Sequence, residues 1–125
     1  METYKFKISP VAKPRMTQKD KWAKRPIVSR YFVYKDLLKL EANKMGLENV
    51  PGRLESLIFY VQMPRTWSYK KKIAMNGRGH EQTPDIDNLL KGFMDALCKE
   101  DKHIYAISNG LAKFWAIEGS IHLTI

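Results

Sequence analysis

The sequence is short of cysteine, of long apolar runs, of repeats, and of acids outside one stretch. A lone Cys98 cannot close an internal disulfide, so a reducing cytoplasm is the expected setting. No apolar run approaches the roughly 20 residues that cross a bilayer, which argues against a membrane protein. The opening METYKFKISP alternates polar and apolar residues where a signal peptide would be continuously apolar. There is no low-complexity segment, and 44% apolar residues is an ordinary globular fraction, so disorder is not expected. A chain of 125 residues holds one domain, spanning 1–125, around one core.

What is present is positive charge. Twenty-two Lys and Arg stand against 13 Asp and Glu, a net +9 that favours a polyanionic partner. Between Thr3 and Lys35 there are ten basic residues and one acid, and between Tyr60 and His80 five basic residues and none. From Glu81 to Asp101 the balance reverses, with six acids against Lys91 and Lys99, a net −4. An acidic island in a basic chain repels the ligand that the rest attracts, unless bound cations reconcile the two.

Periodicity predicts the elements. Tyr4, Phe6 and Ile8 alternate with lysines as in a half-buried strand. A basic loop with two prolines follows, then a helix over about 29–45 with Tyr34, Leu37, Leu38 and Met45 inward and Gly46 as its stop. Residues 55–63 read as a central strand ended by Pro64, and 65–80 as a polar loop with an Asn76-Gly77 turn. A second helix over 86–97 places Ile86, Leu89, Leu90, Phe93 and Leu97 at core spacing. Residues 104–107 suggest a short strand. One or two more are expected over 110–125, where Ile117, Gly119, Ile121, Leu123 and Ile125 alternate with polar residues. The expected fold is α+β, a mixed sheet with two main helices packed on it.

The chemistry concentrates in TPDIDNLLKGFMDALCKED, Thr83 to Asp101. On the second helix Asp87, Lys91 and Asp95 lie at i, i+4 and i+8, opposite the apolar stripe. Asp85 shares an ion with Asp87 only if it sits in the extended approach to the helix, because two helical residues two apart point about 200° from each other. Hard oxygen ligands of this kind suit Mg²⁺, and Lys91 adds positive charge where a phosphate under attack becomes more negative. Each residue also has a plainer role: Asp85 as a helix cap, Asp87 as complement to the helix dipole, Lys91 as a surface ion-pair partner. An EF-hand is excluded, since counting from Asp85 puts Leu90 where Gly is needed and Ala96 where Glu is needed. A zinc site lacks ligand spacing among Cys98, His80, His103 and His122.

PDIDNLLKGFMDAL, Pro84 to Leu97, resembles the signature of RusA-type Holliday junction resolvases, in which Pro-Asp-x-Asp is followed four residues on by lysine and then by Asp-Ala-Leu. KPRMTQKDKW and FYVQMPRTWSYKKK extend the resemblance over most of the chain. The resemblance implies an active site of Asp85, Asp87, Lys91 and Asp101, with the three aspartates holding Mg²⁺ (Mn²⁺ as the alternative). It further implies a homodimer acting on four-way DNA junctions, of a kind commonly encoded by phages and prophages. A two-fold pair also suits two symmetric nicks from a chain with a single acidic cluster.

Lys13, Arg15, Lys19, Lys21, Lys24 and Arg25 are candidates for phosphate contacts, as are Lys70, Lys71 and Lys72. Trp22 and Trp67 suit core packing slightly better than base stacking. His103 reads as structural and His80 as a loop residue, while Asn88 fits either a cap or a support for the aspartates. Two competing functions are a non-catalytic basic DNA-binding module and a PD-(D/E)xK nuclease, the latter using Glu100-x-Lys102.

Overall fold

A computed structural model of the chain describes residues 2–17 and 25–125, with the side chain of Asp101 outside the description. A four-stranded mixed sheet, in the order β1-β6-β3-β5, carries the core. Its strands are β1 (Thr3–Phe6), β3 (Ser56–Gln62), β5 (Leu111–Ala116) and β6 (Ser120–Thr124). β6 runs antiparallel to both β1 and β3, whereas β3 and β5 are parallel. Two short strands, β2 (Arg53–Leu54) and β4 (Ala106–Ile107), pair in parallel beside it. The expected α+β class and mixed sheet are what the chain adopts. Among the described residues no helix is long and apolar enough to cross a membrane.

Two helices, α1 (Pro26–Lys44) and α3 (Ile86–Leu97), pack on each other and close the core. α1 begins earlier than the periodicity suggests, because Pro26 occupies its first turn, where a missing N–H costs nothing. The inward row is Val28, Tyr31, Tyr34, Leu38 and Ala42. Leu37, expected inward, is 43% exposed: it is one residue, about 100°, round the helix from Leu38. Gly46 ends the helix at φ 77°, a backbone that glycine adopts without a Cβ clash.

α3 occupies the predicted residues and buries Leu89, Gly92, Phe93 and Ala96. Phe93 meets Phe6 and Phe59 edge-on, which joins the helix to β1 and β3. Gly92 permits the closest approach: a Cβ there would lie 2.9 Å from the Val11 carbonyl and 3.3 Å from the Tyr31 ring. The N-terminal loop therefore crosses α3 at this point, secured by Lys13 N–H donating to the Asn88 carbonyl at 3.1 Å.

Within the expected loop 65–80 lies a further helix, α2 (Tyr69–Met75), capped by the Ser68 hydroxyl accepting from Lys71 N–H. It has no buried residue, so no apolar period announced it, and Ser68 three residues ahead of Lys71 was its one local signal. Ile117, expected to share the alternation of β6, falls in the short connection 117–119 and is 53% exposed.

Candidate active site

Asp85 stands at the N-cap of α3 with φ −69° and ψ 148°, the extended backbone that a shared ion requires. Its carboxylate makes no capping hydrogen bond and is exposed. The plain capping role is therefore not the one it performs. Asp87 lies in the first turn, and Lys91 Nζ is 3.8 Å from its carboxylate. Both side chains are more than half exposed, so the pair contributes only a few tenths of a kcal/mol to folding. Asp85, Asp87 and Lys91 thus gather at one end of α3 and face solvent.

The backbone at Asp101 lies at the other end of α3. It opens a 3-10 turn, Asp101–His103, beyond the C-terminal end of α3, and the twelve-residue helix between is about 18 Å long. His103 anchors that turn, its Nε2 lying 2.6 Å from the Val50 carbonyl, which is the structural role expected of it. Among the described residues no three His, Cys, Asp or Glu side chains form a metal cage. The donor set that remains is two carboxylates at a helix start. That suits Mg²⁺, which is commonly held by one or two carboxylates together with substrate phosphate and water.

Asp95, two turns along the same helix face from Asp87, has a different surrounding. Tyr31 donates to it at 2.6 Å and Lys35 at 3.3 Å, and Lys13 lies 3.8 Å away. Partial burial raises its carboxyl pKa, but the hydrogen bonds from Tyr31 and Lys35 and the charges of Lys35 and Lys13 outweigh this and hold it below the usual range. Asp95 ties α1 and the N-terminal loop to α3.

The basic candidates divide likewise. Lys13 is engaged with Asp95, and the Arg15 carbonyl accepts from Arg25 at 2.7 Å. Lys19, Lys21, Lys24 and Trp22 lie outside the described residues. Lys70, Lys71 and Lys72 ride on α2, with the Lys71 ammonium 4.1 Å from the centre of the Trp67 ring. Trp67 itself packs on Trp115 at 4.7 Å, in line with a packing role.

The segment after α2 is more ordered than the loop that its sequence suggests. His80 is buried, 4.3 Å from the Trp115 ring, and its pKa is lowered by burial and by the Lys113 charge. Residues 77–80 run along the outer edge of β5: Gly77 N–H donates to the Trp115 carbonyl, Trp115 N–H to Arg78, and His80 N–H to Lys113. A residue the sequence did not single out continues this contact. Lys113 Nζ donates to the carbonyls of Gln82 and Pro84, each at 2.7 Å, immediately ahead of Asp85. It sits among apolar neighbours in LAKFWA, about 30 residues from its partners, so nothing local marks it.

These features place two acids and a lysine at an exposed helix start, with a lysine-bearing helix joined to them along one sheet edge. A comparison with curated proteins returned no match. The sequence model of the family described as Endodeoxyribonuclease RusA matches residues 6–125, nearly the entire chain. The chain belongs to the RusA endodeoxyribonuclease family.

Proposed function

We propose that this chain resolves Holliday junctions as a homodimer, by Mg²⁺-dependent hydrolysis of one phosphodiester in each of two opposed strands, with Mn²⁺ as an alternative ion. The observation that carries the reading is Asp85, a cap-position carboxylate that leaves the helix uncapped and stays available beside Asp87 and Lys91. Asp85 and Asp87 would hold the ion. A bound Mg²⁺ supplies a polarised phosphate and a more acidic attacking water. Lys91 directs its ammonium to the phosphate oxygens as they gain charge, and Asp87 one turn back keeps it near the site. Lys70, Lys71 and Lys72 on α2 lie toward the same edge of the sheet and suit the flanking phosphates.

Asp101 enters this reading as a third ligand supplied by the partner of the homodimer, since α3 separates it from Asp85 of its own chain. Mixing Asp85→Asn with Asp101→Asn protein should then restore nicking that neither has alone, because one of the two sites becomes whole. Failure of a mixture of exchanged subunits to nick removes the partner-supplied ligand, and wild-type nicking by Asp101→Asn alone removes Asp101 from the site. The PD-(D/E)xK alternative is disfavoured by placement: Lys102 pairs with Glu100 at 3.3 Å in a turn at the far end of α3, not on a strand beside Asp85.

The primary test is cleavage of a four-way junction against a linear duplex, with Mg²⁺, Mn²⁺, Ca²⁺ or EDTA. Cutting of the junction with Mg²⁺ or Mn²⁺, and little with Ca²⁺, is expected, since Ca²⁺ accepts a looser geometry. Undiminished cutting in EDTA overturns the metal mechanism, and binding without cutting under every condition favours the non-catalytic module.

A further inference from the structure

The Asp85 carboxylate receives no hydrogen bond from the helix it precedes, whose Asn88 and Leu89 N–H groups donate to the Asp85 carbonyl at 3.1 Å each, yet a metal ligand must be held in place before the ion arrives. The helix thus holds the peptide after Asp85, and the peptide before it is restrained from the sheet. Lys113 accepts His80 N–H at its own carbonyl, at 3.1 Å, and gives two N–H bonds to the carbonyls of Gln82 and Pro84, each at 2.7 Å. One residue in the middle of β5 thereby fixes the chain at three points between His80 and Pro84. The last of these matters most. The Pro84 carbonyl belongs to the planar peptide unit that ends at the Asp85 Cα, so holding that oxygen orients the plane from which the Asp85 side chain departs.

We propose that Lys113 is a positioning residue for the acid site: by binding the Gln82 and Pro84 carbonyls to the edge of the sheet, it presets Asp85 for cation binding. Lys113 touches neither the ion nor the DNA in this role, and the inference rests on Asp85 being a ligand. Its physical signature is a sign. A positive charge close to a cation site weakens cation binding through Coulomb repulsion alone, so simple removal of the Lys113 charge would tighten it. Loss of positioning has the opposite effect, because supporting groups behind metal ligands typically change affinity by about 10–100-fold when removed.

The experiment is Mn²⁺ titration of the DNA-free protein, with free Mn²⁺ read by electron paramagnetic resonance, on wild type, Lys113→Met, Lys113→Arg and Asp85→Asn. Lys113→Met should weaken Mn²⁺ binding by about 10-fold or more. Lys113→Arg, which still offers two N–H groups to two carbonyls, should restore most of it. The Mn²⁺ concentration for half-maximal junction cleavage should move in parallel, while junction binding without metal stays unchanged. Equal or tighter Mn²⁺ binding by a folded Lys113→Met protein overturns the proposal, whatever its melting temperature, and leaves Lys113 a structural staple. If that variant does not fold, Lys113→Gln takes its place, and wild-type affinity there overturns the proposal equally. Wild-type Mn²⁺ affinity in Asp85→Asn instead shows that Asp85 is no ligand, which removes the site reading and this inference together.

Discussion

The two halves of α3 carry the same residue type on the same face and use it in opposite ways. Asp87, near the start, pairs among the described residues with Lys91 at 3.8 Å and is more than half exposed. Asp95, two turns on, is approached by Tyr31, Lys35 and Lys13 and is largely covered. A carboxylate oxygen that already accepts two protein hydrogen bonds has little left to offer a cation, whereas one facing water exchanges solvent for a ligand readily. The difference separates an acid that joins elements from an acid free to work. Asp85 belongs with the second kind despite its cap position.

The largest effect that can break this comparison comes from isosteric neutralisation. Asp85→Asn or Asp87→Asn should abolish most cleavage, because an amide is a poor ligand for a hard cation. Metal-free junction binding should hold or tighten as a negative charge leaves the approach path. Asp95→Asn should instead leave the cleavage rate within an order of magnitude of wild type. Side-by-side binding and cleavage on a four-way junction decides this, and loss of cleavage in folded Asp95→Asn alone would invert the assignment.

Lys91→Ala comes next. The cleavage rate should fall by about 10²–10³, the scale for losing one donor to a developing charge. Folding stability should change by less than about 1 kcal/mol, as an exposed pair allows. Single-turnover kinetics with a urea melt measures both, and an unchanged rate would return Lys91 to the role of surface partner.

The smallest effect sharpens the structural half. Asp95→Asn should cost about 1–2 kcal/mol at neutral pH, the value of hydrogen bonds to a charged group that is partly exposed. Its folded pKa lies below the ordinary 3.8, so the unfolded chain binds the proton more readily. The stabilisation is therefore complete above the unfolded pKa of about 4 and disappears as pH falls through the lower folded value. The stability gap between wild type and Asp95→Asn should close in that acidic window. A gap independent of pH would mean that the carboxylate charge contributes nothing there.

The amino-acid sequence alone was enough for the class of fold, the whole of α3 and the charge reversal at residues 81–101. These are local: apolar residues at i, i+3 and i+4 share one face on a helix and not on a strand, and a proline-led acid marks where that helix begins. It also determined family membership, since the motif residues lie within a few positions of one another. Which acids are spent on packing depends instead on the folded arrangement. Tyr31 and Lys35 reach Asp95 across about 60 residues of chain, and no periodic signal encodes a partner at that distance. The same holds for Lys113 and its two carbonyls, and for Leu37, which faces outward because the core takes the row through Tyr34, Leu38 and Ala42. Asp101 shows the limit most directly: fourteen residues from Asp87 in sequence, it begins beyond the other end of a rigid helix. Local pattern sets what an element is, whereas side-chain partnership depends on which elements the core brings together, and that follows only once the chain has folded.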